Sequence, residues 1–273
     1  MRRIGVGQLF FGLAFAIEGA LGLSARDFLL NQQPVAQGIP YREQLACVSA
    51  AIMLLAGIGM LVPRSARIST LVLTGFTALW VLILHLPRAF AQPQNVGFWL
   101  GVGEVTTLAT GGWLIYCALT ARNDKTVHVA RILFGVALVP IGLSHIVYLK
   151  PAADLIPAWF PLRVPLTALT GVAHMAAGAA IVFGILPRLA ATLEAVMESG
   201  FTLIVWVSAV VTLPTHRQHW VDLFISTALA GAAWAIAESY RGTSLALAPD
   251  ALTNQSPPVT DEELGLRDRA TPH

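Results

Sequence analysis

The sequence predicts an all-α membrane protein, with eight transmembrane helices arranged as two tandem four-helix bundles. Three observations carry that prediction. Hydrophobic residues make up 56% of the 273-residue chain and charged residues 12%, with a mean hydropathy of +0.69, whereas a soluble domain carries about 25% charged residues. The apolar residues gather in runs long enough to cross a bilayer, which takes about 20 residues and no fewer than roughly 17. The second half also repeats landmarks of the first in the same order.

The runs are Ile4–Leu23, Leu45–Val62, Ile68–Leu86, Val96–Leu119, Ile132–Tyr148, Leu166–Leu186, Ala190–Leu213 and Trp220–Ile236. Arg2 and Arg3 precede the first as they would a signal peptide. Glu18 interrupts its core, however, and only a weak "LSA" follows, so it reads as a retained anchor. Eleven of the 17 Lys and Arg residues fall on one side: Arg2, Arg3, Arg64, Arg67, Arg122, Lys125, Arg131, Arg188, Arg241, Arg267 and Arg269. Positive charge marks the cytoplasmic face, so both termini are expected in the cytoplasm, with the chain in the inner (cytoplasmic) membrane. Residues 242–273 are rich in Pro, Thr, Asp and Glu and are expected to form a disordered tail.

The repeat rests on four ordered matches. "RIGVG" at Arg3 pairs with "RILFG" at Arg131, and "LVPR" ending at Arg64 with "ILPR" ending at Arg188. "GFTALW" from Gly75 pairs with "GFTLIVW" from Gly200, and "LATGGW" ending at Trp113 with "LAGAAW" ending at Trp234. The units are placed at 1–121 and 129–239. Four helices are an even number, so the repeat is parallel rather than inverted. Matching the Pro-Arg pairs sets Ala50 opposite His174.

"GLSHIVYLKP" from Gly142, "IPAWFP" from Ile156 and "GVAHMAAGAAIVFGILPR" from Gly171 resemble the DoxX family of small four-helix membrane proteins. They are similar to that family's first-helix ending, its Pro-rich loop and its second helix running into a basic turn. The resemblance covers most of residues 129–239 and, more faintly, 3–119. Family members commonly carry Glu where this chain has His174 and Ala50. Relatives include a membrane subunit associated with thiosulfate oxidation and quinone reduction. The resemblance thus implies a duplicated four-helix unit, and a redox-linked role with a redox or membrane-complex partner protein.

Ionisable residues inside membrane helices mark functional sites by default, because burying charge in lipid is costly. Helix depths put Glu18, Glu104, His145 and His174 in the outer half, with His145 and His174 expected to approach each other. Glu18 and Glu104 are expected in the equivalent layer of the first bundle. Glu194 and Glu198, spaced i, i+4, share one helix face near the midplane. At least one of them is expected to carry a proton or pair with a cation. These six residues are the candidates for ligand binding or proton relay; the alternative for them is a polar clamp between helices. His85, His216, His219 and Asp222 read as solvated at the interface, and the seven Trp residues as an interfacial belt.

The net charge of +2, with no Lys-rich tract, argues against nucleic acid as a partner. Cys47 and Cys117 form no CxxC pair. No metal-ligand motif, nucleotide loop or Ser/His/Asp signature occurs, which disfavours ATP-driven pumps and the usual hydrolases. A haem lacks a CxxCH motif, so a quinone is the leading cofactor class. Three functional classes stay open: a redox-linked subunit binding a quinone or other apolar molecule, a small-solute or lipid transporter, and a structural subunit of a membrane complex.

Overall fold

The computed structural model describes residues 4–121 and 124–245. Arg2, Arg3, Arg122, Arg267 and Arg269, and the expected disordered tail from 246 onward, lie outside the described residues. Among the described residues the structure is helical without strands. Nine continuous helices form: α1 (Val6–Ala25), α2 (Arg42–Leu61), α3 (Ala66–Ala91), α4 (Val96–Thr120), α5 (Asp124–Val147), α6 (Leu149–Leu155), α7 (Arg163–Phe183), α8 (Pro187–Thr212) and α9 (Arg217–Ser239).

Seven of these, all but α4 and α6, are long and apolar enough to cross a membrane. Eight spans were expected; the one that falls short of this measure is Val96–Leu119, and the helices among the described residues number nine. The short α6 follows α5 directly, ahead of the expected Pro-rich loop at Ile156–Pro161, which is irregular. Helix α4 has the length of a span, 25 residues, but Glu104, Thr106, Thr107 and Thr110 dilute its hydropathy. The Thr107 and Thr110 hydroxyls return to the backbone, donating to Glu104 O at 2.6 Å and Thr106 O at 2.8 Å. That helix is sheltered by protein, packed along α3, α5 and α9.

Sequential neighbours pack together from α1 to α5, then α5 with α7, α7 with α8 and α8 with α9; α9 closes the circuit by packing along α1. Helix α1 meets α9 far more extensively than it meets α4. The Val6 N–H donates to Glu238 Oε1 at 2.9 Å, tying the start of α1 to the end of α9. Outward-facing Leu55, Ile68, Phe183, Leu203 and Val211 are exposed, as expected of surfaces that meet lipid.

The two halves share local devices. Helix α3 contains a single π turn at Val81–His85, and α8 one at Thr202–Trp206. In α3 the turn is followed closely by Pro87, which has no N–H to continue the ladder. In α8 the Thr202 hydroxyl takes up Glu198 O at 3.1 Å. Before α4, the Trp99 indole donates to Pro93 O at 3.0 Å; before α9, Trp220 donates to Pro214 O at 2.8 Å.

Glycines fix the helix registers. Gly12 lies against Gly57, and Gly135 against Gly178; one stretch further along, Gly19 meets Ala50 O and Gly142 meets Gly171 O. Small residues let membrane helices approach to backbone contact. Matching these glycine contacts, instead of the Pro-Arg pairs, would set Ala50 opposite Gly171 and Met53 opposite His174. By the same pairs the counterpart of Glu18 is Ile141. The Pro-Arg match gives a different register because Pro63 and Arg64 lie in a connection whereas Pro187 and Arg188 open α8.

Candidate functional site

His174 sits eleven residues into α7, about 16 Å from its first residue, near the middle of the helix rather than in the outer half. It is fully buried. Its Nδ1 lies 2.8 Å from Glu194 Oε1 on α8. The other half of each group, His174 Nε2 and Glu194 Oε2, is buried without a partner. Glu198, one turn on from Glu194, is also buried. One ligand atom from each of His174, Glu194 and Glu198 can be chosen so that all lie within 4.8 Å of one another.

His145, near the end of α5, faces this cluster. The His145 and His174 rings are 5.2 Å apart between centroids, and the Phe201 ring lies 5.9 and 5.8 Å from them respectively. His145 Nδ1 is 3.0 Å from Ile141 O. A carbonyl only accepts, so Nδ1 carries the proton and Nε2 keeps its lone pair.

These groups border a cavity of about 500 Å³. His145, His174, Glu198, Glu104 and Asp222 all line it, between apolar walls that include Leu100, Ile141, Phe201 and Leu229. No Lys or Arg is among its described lining residues. Asp222, five residues into α9, accepts from Asn31 Nδ2 at 2.9 Å and Gln218 Nε2 at 2.8 Å. The cavity therefore runs from near the α9 start to the level of His174.

Of the six candidate residues, five come together: Glu104, His145, His174 and Glu198 on the cavity, and Glu194 behind His174. Glu104 thus lines the cavity of the second half, not a layer in the first. Glu18 stands apart. It is fully buried, and Gln32 Nε2 approaches its Oε1 at 3.4 Å. Gln32 O in turn lies 2.8 Å from His85 Nε2. His85 is consequently buried, against the expectation of interfacial solvation; the segment between α1 and α2 folds back over it. Trp80 is also no belt residue: it is buried against Phe15 and Phe76. Asp222, Phe201, Ser144 and Thr170 line the cavity without having been singled out for a site. For Asp222 the available signal was its position one to two turns inside an apolar helix.

Compared with known proteins, no family model matches the chain, and neither a curated protein nor a solved structure matches it.

Proposed function

We propose that the chain is a multi-pass membrane protein that binds a small, largely apolar molecule with a hydrogen-bonding head in the cavity beside His145 and His174. A quinone is the ligand class that best suits this chemistry, in a redox-linked subunit of the DoxX-like kind. The observation that carries the reading is the cavity itself: a volume of about 500 Å³, a surface that is mostly apolar, and ionisable groups at five positions, Glu104, His145, His174, Glu198 and Asp222. Small-molecule sites have this make-up, at about 300–1,000 Å³. The hydroxyl of a reduced quinone head can donate to the lone pair of His145 Nε2, and the head's ring can stack on Phe201.

Thermal shift of the purified protein with a short-chain quinone, a phospholipid and a water-soluble solute tests this. The quinone is expected to raise the melting temperature. Leu100→Trp, which fills the cavity from a partly exposed wall position, is expected to weaken binding by about tenfold or more while leaving folded yield unchanged. Stabilisation by phospholipid or solute alone would replace the quinone reading with the transporter one.

The halves are read as parallel repeats, supported by the paired π turns, Trp–Pro bonds and glycine contacts. Helix α4 is read as crossing the membrane too, since 25 residues span about 37 Å and its packing partners are themselves candidate spans. Eight crossings return the chain to its starting side. Reporter fusions after Ala121 and after Leu245 are both expected to report cytoplasm. An extracytoplasmic signal at either position rejects the topology.

A further inference from the structure

We propose that His174, Glu194 and Glu198 form a binding site for one divalent first-row transition-metal ion, such as Zn²⁺, Mn²⁺ or Fe²⁺. The inference stands independently of what occupies the cavity. One nitrogen and two carboxylates come from two adjacent helices, with ligand atoms within 4.8 Å of one another. Metal–N and metal–O bonds of about 2.0–2.2 Å bring ligand atoms to within roughly 4.4 Å at most. Small side-chain adjustments therefore complete the set.

Two further observations point to a ligand. His174 Nε2 and Glu194 Oε2 are buried and unpartnered. Leaving such groups unsatisfied costs about 1–3 kcal/mol each, and more when charged, so something is expected to engage them. Charge points to a cation. Two carboxylates sit in a membrane interior with no Lys or Arg among the described cavity residues. A divalent ion with two carboxylates and a neutral imidazole makes a site of zero net charge, which removes most of the cost of burial.

The first half shows that the fold does not require these polar groups. Counted back from the π turns, Glu194 and Glu198 correspond to Leu73 and Thr77, and His174 corresponds to Met53. All three counterparts are buried; the pair Met53 and Leu73 is apolar. Nitrogen and oxygen ligands of this mix suit first-row divalent ions better than soft Cu⁺, which favours thiolate and thioether. His145 lies beside the set, its ring centroid 5.2 Å from that of His174, and is not one of the three ligands.

The test uses the full chain purified in detergent, stripped with a chelator and titrated with Zn²⁺ by calorimetry and with Co²⁺ by visible absorption. One ion per chain is expected, with d–d bands of a nitrogen–oxygen site. Glu198→Gln keeps size and shape and is expected to weaken Zn²⁺ binding at least tenfold. Glu18→Gln, at the separate buried carboxylate, is expected to leave it unchanged. A folded, monodisperse wild type that binds neither ion overturns the proposal. So does Zn²⁺ binding that survives unchanged in Glu198→Gln.

Discussion

His174→Ala is expected to destroy most of the folded protein, whereas the triple exchange His174→Met, Glu194→Leu, Glu198→Thr is expected to restore the fold and abolish binding at the site. The single change leaves Glu194, which is 1% exposed, without the imidazole that meets it at 2.8 Å. Breaking a buried pair by removing one member costs about 3–5 kcal/mol, while replacing the whole set with well-packed apolar residues is often neutral or stabilising. The triple exchange installs the residues that pack at the corresponding places in the first half. Size-exclusion profile and melting temperature report the fold; ligand and Zn²⁺ titration report the site. Equal loss of fold in the single and triple variants would mean that the pair is there for packing. A triple variant that folds and still binds would move the site elsewhere.

Gly178→Leu is expected to lower stability by about 3 kcal/mol or more, at the upper end of what overpacking costs. A Cβ at residue 178 would drive into the carbonyl oxygen of Gly135, and one at 135 would come to 2.8 Å from Gly178 O. Both obstacles are backbone, which cannot rotate aside, so α5 and α7 would have to separate along the contact that aligns His145 with His174. Gly200 is the control. Nothing lies within 4 Å of a Cβ there, and alanine suits a helix interior better than glycine by about 1 kcal/mol. Gly200→Ala should therefore leave the melting temperature unchanged or raise it. A Gly178→Leu variant as stable as the wild type would show that this close contact does not hold the register.

Long apolar runs made the large helices readable in the sequence, because lipid crossing demands a length that few other structures need. Boundaries and partners were less readable. The Pro-rich stretch at Ile156–Pro161 was readable as a connection, but the short α6 just before it was not, since a proline such as Pro151 is tolerated in the first turn of a helix. The one-residue slips at Val81–His85 and Thr202–Trp206 leave no mark in hydropathy. The Pro-Arg pairs and the glycine contacts give different registers for the two halves, because Pro63 and Arg64 lie in a connection whereas Pro187 and Arg188 start a helix. The glycine contacts become visible only once two helices are together. At the site, apolar surroundings singled out His145, His174, Glu194 and Glu198. Glu18 looked equivalent by depth, but depth says nothing about which way a side chain points. Gln32, which meets Glu18, lies in a connection outside every apolar run.

The contact between α1 and α9 also has a consequence in time. Translation delivers α1 first and α9 last, separated by roughly 190 residues, which at about 5–20 residues per second takes some 10–40 s. Until then the face that carries Gly7, against which Gly231 and Ala235 later close, waits in the bilayer without its final neighbour. The buried Glu18, on the same helix, enters the membrane before Gln32 has been made. Helix α1 therefore depends long on lipid, or on the insertion machinery, for shelter, until α9 closes against it.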